Sequence, residues 1–157
     1  MVIEINRPPQ AMKRDGDISY QDLRISTKMH QNDVKNVLYY LADKLKKAGD
    51  IHDWSKDTLA PLYYNDYVDS KRNNKDMHKE KWYQYHYDHE RHHLMNRVPE
   101  DVNLLDVIEF ITDCCCDGIA EEGKPEEMNI SDKLLRQAFD NTIKLIVGNI
   151  HLNKGDE

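Results

Sequence analysis

Histidine is the residue type in this 157-residue chain with the clearest capacity for chemistry. Five of the eight histidines lie between His78 and His93, and another forms the dipeptide His52-Asp53. Imidazole suits borderline divalent metals and carboxylate oxygens suit hard ones, so neighbouring His and Asp side chains can bind one ion or bridge two. The sequence therefore predicts a divalent metal site centred on His52 and Asp53.

His30 is a second candidate ligand. It precedes Val34 by four positions and Val37 by seven, so on a regular helix it shares their inward-facing side. An inward histidine needs a polar partner, and a metal ion is one such partner.

A carboxylate from a later helix is the third kind of candidate. A helix over 102–120 places four acidic residues, Asp106, Glu109, Asp113 and Asp117, in one polar band. For Asp106 and Asp117 a solvated face is the favoured interpretation. Asp113 can be a ligand only if the band lines a cleft between helices.

Each signal also has a structural interpretation. A His-Asp pair is common by chance, and Asp53 can simply cap a helix. A polar surface helix can carry several histidines without purpose, which we favour for His78 and His89; His151, in the C-terminal tail, we take as structural. His86, His92 and His93 remain open as ligands or substrate contacts.

The order of these residues resembles the HD-domain superfamily of metal-dependent phosphohydrolases, whose pattern is a His, an HD pair, optional further His ligands and a distant helical Asp. It looks closer still to a small, uncharacterised family of bacterial and phage proteins with that pattern. The match covers roughly residues 26–120, and its motifs are His52-Asp53-Trp54-Ser55-Lys56, Trp82 with His86 and His92-His93, and Glu109 with Asp113. One departure is that the helical Asp stands in Thr112-Asp113-Cys114 rather than after an alanine.

The resemblance implies a metal-dependent hydrolase of a nucleotide or another small phosphate ester, using one or two ions of Mn, Mg, Fe or Zn. The implied metal ligands are His30, His52, Asp53 and Asp113. Asp53 and Glu109 are the candidate proton acceptors for the attacking water. Substrate contacts are expected from Lys56, His86, Arg91, His92 and His93, with Lys56 and Arg91 neutralising the phosphate.

Two other functions stay open at this point. One is a non-catalytic module that keeps an HD-like scaffold but sequesters a nucleotide or a protein partner. The other is a plain helical interaction module in which the histidines are incidental.

Apolar periodicity predicts the elements that must position these residues: an all-α, compact, HD-domain-like bundle of about five helices. The helices are expected from Ser26 to Ala48 with a stop at Gly49, briefly after Ser55, from Met77 or Lys79 to about Met95, from Val102 to Ala120, and after Ser131. Residues 63–74 look turn-like. We expect an N-terminal arm or loop over 1–20 and a single helical domain over 21–157.

Composition narrows the partners. The net charge of −7 disfavours bulk nucleic acid, and the sequence has no apolar run of membrane-spanning length. We expect no signal peptide, because an acid interrupts the apolar residues at the N-terminus. The consecutive cysteines Cys114, Cys115 and Cys116 suit reduced thiols in the cytosol. We therefore expect a cytoplasmic protein that binds a small phosphorylated molecule, with a homo-oligomer left open.

Overall fold

The computed structural model describes residues 2–7 and 19–154, and these residues are mostly α-helical, as predicted. The elements in chain order are β1 (Ile3–Arg7), α1 (Tyr20–Ile51), α2 (Trp54–Thr58), α3 (Ala60–Asn73), α4 (Lys81–His89), α5 (Leu104–Glu122), α6 (Asp132–Gly148) and β2 (Ile150–Lys154), with a 3-10 turn at Met77–Lys79 before α4. Among the described helices, none combines the length and the apolar character needed to cross a membrane.

The chain divides into two compact units, which we describe separately. The first comprises Met1–Lys44 and Ile143–Glu157, and the second comprises Leu45–Thr142. The single domain predicted over 21–157 stays a prediction, because a compact unit is not by itself a region that folds alone.

The first unit contains a strand pair that the sequence analysis did not predict. β1 pairs in parallel with β2, with Ile3 opposite Ile150 and Ile5 opposite Leu152. Ile3, Ile5 and the Tyr40 side chain of α1 form its buried cluster. The expected arm was therefore wrong over Ile3–Arg7, because its alternating apolar residues are buried by a partner strand from the far end of the chain.

The second unit has its own apolar core around α5 and α6, formed by Leu94, Val102, Val107, Phe110, Cys114, Leu134 and Ala138. Asn103 begins α5 with a capping box: its side chain accepts from the Leu105 amide at 2.9 Å, and the Asp106 carboxylate accepts from the Asn103 amide at 2.8 Å. The predicted cap of α6 is confirmed, since Ser131 Oγ accepts from the Leu134 amide at 3.2 Å. The capping box therefore fixes the start of α5, and the apolar core packs against one of its faces.

A close approach fixes the segment after α5. The helix ends at Gly123, whose φ of 74° is the left-handed conformation that favours glycine. The chain then passes back along α5, where the Glu126 amide donates to the Cys114 carbonyl at 3.1 Å. A Cβ at Gly118 would lie 2.2 Å from the Glu126 nitrogen, so only glycine fits there.

Several predicted helix boundaries were wrong. α1 continues past Gly49 to Ile51. Residues 63–73 are helical rather than turn-like, because Pro61 lies in the first turn of α3, where proline is favoured, and Tyr63 packs on Trp82 with ring centroids 4.2 Å apart. The helix expected to reach Met95 ends at His89, six residues early.

The three cysteines are free, as predicted, and they differ in exposure. Cys114 is buried in the core of the second unit, Cys115 is partly buried and Cys116 is exposed. Burial raises the pKa of the Cys114 thiol to about 11, so that thiol stays protonated at neutral pH.

Candidate metal centre

The predicted dipeptide lies in the second unit, at a turn between two helices. α1 ends at Ile51 and α2 begins at Trp54, so His52 and Asp53 form the connection. Asp53 adopts φ 57° and ψ 24°, a left-handed conformation that aspartate tolerates better than most residues. Its side chain makes no helix-capping hydrogen bond, so the carboxylate is available for another role.

The end of α4 brings three further histidines to the same place. His86 lies in the last turn of α4, and the chain leaves the helix before His92 and His93. On a continued helix these two neighbours would point about 100° apart, whereas in the observed turn their rings lie 4.1 Å apart between centroids. The early helix end is thus what allows all three imidazoles to converge.

Four side chains form the first group that can hold a metal ion: Asp53, His86, His92 and His93. Asp53 Oδ1 lies 3.5 Å from His86 Nε2 and 3.6 Å from His92 Nε2. The Nε2 atoms of His86 and His93 are 2.5 Å apart. One ligand atom from each side chain falls within 4.8 Å of all the others. We call these residues the four-residue group.

Two atoms of the four-residue group are buried without a hydrogen bond. Asp53 Oδ1 and His92 Nε2 have no hydrogen-bond partner among the described residues. Leaving a buried polar atom unpaired costs about 1–3 kcal/mol, so native structures rarely do it. Two such atoms that face each other within a cluster of lone pairs fit a cation between them.

Three side chains, His52, His92 and Asp113, form a second group, which shares His92 with the first. His52 Nε2 lies 3.2 Å from Asp113 Oδ1, and His92 Nε2 lies 3.8 Å from Asp113 Oδ2. Asp113 comes from α5, so the middle of the polar band predicted on that helix, Glu109 and Asp113, faces this cluster. We call these residues the three-residue group.

Glu109 orients two of the imidazoles. Its Oε1 accepts from Nδ1 of His52 at 3.0 Å and lies 3.3 Å from Nδ1 of His92. Because these contacts occupy Nδ1 of each ring, the Nε2 atoms point into the cluster. The contacts support a positioning role for Glu109, and its predicted role as a proton acceptor stays a prediction.

Burial and charge leave two of the histidines neutral. Burial lowers the pKa of His86 to about 4 and that of His93 to about 3, so both carry free lone pairs at pH 7. The hydrogen bonds of Asp113 and Glu109 instead raise the pKa of His52 to about 10. Burial acts to raise the pKa of Glu109, but His52 and His92 outweigh it and lower that pKa to about 2.

Sequence reasoning missed two supporting residues, Ser55 and Glu90. Ser55 is fully buried, and its Oγ lies 2.7 Å from His86 Nδ1. The Ser55 amide donates to Glu90 Oε1 at 3.0 Å. Ser55 was interpreted as a helix cap, whereas α2 begins before it and its hydroxyl contacts His86. Since Glu90 is four residues after His86, the helical spacing was the one available signal.

Lys56 lies beside the centre. Its ammonium forms an ion pair with Asp53 Oδ2, while its side chain remains 40% exposed. Burial acts to lower the pKa of Lys56, but the hydrogen bond and the charge of Asp53 outweigh it and raise that pKa. The Lys56 ammonium is thus held at the edge of the buried cluster, on a side chain that reaches solvent.

Two predicted site residues are not brought into the cluster. His30 is exposed on α1 in the other compact unit, and neither group includes it. Arg91 forms a bidentate pair with Asp106 at 2.8 and 2.9 Å and also contacts Asp101. Asp106 was expected to be solvated but is 5% exposed, because it caps α5 and binds Arg91.

The remaining candidates lie outside both groups, as expected. His89 is exposed and stacks on Tyr85 with centroids 3.8 Å apart. His78 contacts the hydroxyl of Tyr87 at 2.5 Å. Asp117 is exposed, which agrees with a solvated face, and His151 lies exposed in β2 rather than in a frayed tail.

Comparisons with known proteins give a family but no described relative. The model of a family of unknown function (DUF5662) matches residues 20–151, a range that includes every residue of both groups. No curated protein and no solved structure matches the chain.

Proposed function

The chain belongs to the DUF5662 family, whose function is unknown, and we propose from the chemistry of its candidate metal centre that it is a metal-dependent phosphohydrolase. The substrate class is a nucleotide or another small phosphate ester. One observation carries the proposal. Asp53 Oδ1 and His92 Nε2 are buried, face each other and have no hydrogen-bond partner among the described residues, and the partly exposed side chain of Lys56 lies beside them.

The ligand set bears on the metal. Three imidazoles and one carboxylate suit zinc or iron better than magnesium, which prefers oxygen ligands and keeps its waters. When bound, such an ion polarises a phosphoryl oxygen and lowers the pKa of a coordinated water. The predicted set of Mn, Mg, Fe and Zn is thereby narrowed in favour of Fe and Zn.

Residues of the chain would orient the metal ligands, bind the phosphate and accept the proton. Glu109 holds two imidazoles with their Nε2 atoms inward, and Ser55 holds a third. Lys56 reaches solvent from the edge of the centre, so its ammonium can bind a phosphate oxygen at the opening. The carboxylate of Asp113, beside His52 and His92, can accept a proton from a bound water. The two oxygens of Asp53 face the histidines and Lys56, which favours a role as ligand over its predicted role as proton acceptor.

A paired substitution tests the proposal. His93→Asn removes a ligand of the four-residue group, while His89→Asn removes an exposed histidine of the same segment that belongs to neither group. We expect wild type and His89→Asn, loaded with Zn²⁺ or Fe²⁺, to release phosphate from nucleotides or model phosphate esters. His93→Asn should bind less metal and lose at least 100-fold in kcat/KM.

Circular dichroism and thermal unfolding of both variants control for loss of fold. Metal-loaded wild type that hydrolyses none of a broad panel of phosphate esters would contradict the proposal. If such a protein binds a nucleotide stoichiometrically and returns it unchanged, the sequestering module is the correct function instead.

A further inference from the structure

The two carboxylate oxygens of Asp53 have different surroundings. Oδ1 is buried without a hydrogen-bond partner among the described residues and faces His86 and His92. Oδ2 is contacted by the ammonium of Lys56 and lies 3.7 Å from His52 Nε2. One oxygen therefore faces only candidate metal ligands, while the other is already neutralised by a cation of the chain itself.

Both ring nitrogens of His52 are contacted by carboxylates. Nδ1 lies 3.0 Å from Glu109 Oε1, and Nε2 lies 3.2 Å from Asp113 Oδ1. A carboxylate can only accept a hydrogen bond, so a ring nitrogen held by one carries its hydrogen and has no free lone pair for a metal. The contact between the Nε2 atoms of His86 and His93 differs, because a neutral imidazole keeps one nitrogen with a free lone pair. Of the two unpaired buried atoms of the centre, Asp53 Oδ1 belongs to the four-residue group alone and His92 Nε2, which faces it, belongs to both groups.

We infer that the centre binds one ion, held by Asp53 Oδ1, His86, His92 and His93, and that Lys56 takes the place of a second cation at Asp53 Oδ2. This inference rests on the proposed metal centre and fixes its nuclearity. In a two-ion site a carboxylate commonly bridges the ions through its two oxygens. The ammonium on Oδ2 prevents Asp53 from doing so.

The local backbone explains why Lys56 is held in that position. The left-handed turn at Asp53 is followed at once by α2, and the Lys56 amide donates to the Asp53 carbonyl at 2.8 Å. Three residues apart on the first turn of a helix, the two side chains are neighbours. The ion pair is thus set by the same turn that presents Asp53 to the histidines.

The test compares Lys56→Met with Lys79→Met. Methionine keeps an unbranched stem and removes the charge. Lys79 is a matched control, because it pairs with Asp76 at the same three-residue spacing, lies 81% exposed and belongs to neither group. Metal-free protein is titrated with Co²⁺, followed by visible absorption, and bound metal is counted by elemental mass spectrometry after gel filtration.

We expect one Co²⁺ per chain in wild type and Lys79→Met, and a second, weaker equivalent in Lys56→Met. Two equivalents in wild type would overturn the inference while leaving the proposed hydrolase intact. If folded Lys56→Met binds a single equivalent of Co²⁺, Lys56 does not take the place of a second cation, and that part of the inference is overturned. Wild type that binds no ion would overturn the proposed function and this inference with it.

Discussion

Single hydrogen bonds decide which nitrogen of each imidazole faces the centre. Ser55 and Glu109 contact the Nδ1 atoms of three histidines, which leaves their Nε2 atoms directed inward. Such outer contacts of metal ligands typically change metal affinity by 10- to 100-fold when removed. The affinity of this centre therefore depends on residues that never touch the ion.

Ser55→Ala tests that dependence. With Nε2 as the ligand atom, His86 Nδ1 donates to Ser55 Oγ, and alanine removes this acceptor in a fully buried position. We expect Zn²⁺ affinity, measured by competition with a chromophoric chelator, to fall about 10- to 100-fold.

Ser70→Ala is the matched control for that experiment. Ser70 is a buried serine of the same unit, and its Oγ has no hydrogen-bond partner among the described residues. Its affinity should equal that of wild type. Equal affinity in Ser55→Ala would show that His86 does not need its serine.

Arg91→Ala separates a structural from a substrate role. Its guanidinium binds the buried carboxylate of Asp106, which also caps α5. Losing hydrogen bonds to a buried charge should lower the free energy of unfolding by about 1–3 kcal/mol in urea denaturation, with unchanged metal content.

Arg136→Ala provides the comparison, because that arginine is 72% exposed and pairs with Asp140 at helical spacing. Exposed pairs contribute about 0–1 kcal/mol, so a small effect is expected there. A raised KM with unchanged stability in Arg91→Ala would assign Arg91 to the substrate, as the sequence suggested.

At the scale of elements, the centre depends on where helices end. α1 and α4 both end at residues that bind or flank the cluster, and α5 supplies Glu109 and Asp113 one turn apart. α5 is held by its capping box at the start and by the close approach of the following segment at Gly118. Its position is therefore determined at both ends.

Gly118→Ala should loosen that second contact. The new Cβ would lie 2.2 to 2.7 Å from backbone atoms of residues 124–126, so the segment must move. We expect a loss of about 1–3 kcal/mol in the free energy of unfolding, measured by denaturant titration.

Gly49→Ala should instead raise the free energy of unfolding. Nothing lies within 4 Å of a Cβ built there, and the residue is inside α1, where alanine is favoured over glycine by about 0.5–1 kcal/mol. Equal effects of the two substitutions would show that the segment adapts to Gly118→Ala without strain.

At the scale of the whole molecule, the buried histidines make the metal-free protein sensitive to mild acid. The unfolded chain protonates His86 and His93 near pH 6.5, whereas the folded chain resists until about pH 4 and 3. The unfolded state thus binds more protons below pH 6.5, so stability falls as the pH drops through this window. The slope is roughly 1.4 kcal/mol per pH unit for each proton.

The shifted pKa values of His52 and Glu109 do not change the stability between pH 6.5 and 4.5. The contribution of His52 is fully present below 6.5 and is lost only as the pH rises toward about 10. That of Glu109 is present above 4.5 and is lost only as the pH falls toward about 2. Urea denaturation in chelator across this window should show the fall, and His93→Asn should reduce its slope; a flat profile would contradict the burial of these rings.

The sequence alone identified much of the centre. Seven of the residues that converge were candidates from residue type, from spacing or from the resemblance to a known pattern: His52, Asp53, His86, His92, His93, Glu109 and Asp113. The mostly helical class was also predictable. Both follow from local information, since helical periodicity and metal-ligand chemistry are properties of neighbouring residues.

Only the tertiary structure decided the rest, because it depends on residues far apart in the chain. β1 becomes a strand by pairing with β2, almost the whole chain away. Asp106 is buried by Arg91. His30 falls outside the cluster, and its predicted inward orientation was wrong, because the face that it shares with Val34 is exposed. The end of α4 at His89 unites His86 with His92 and His93, and no local pattern marks it, because contacts at that turn, such as Glu90 Oε1 with the Ser55 amide, join residues far apart in the chain.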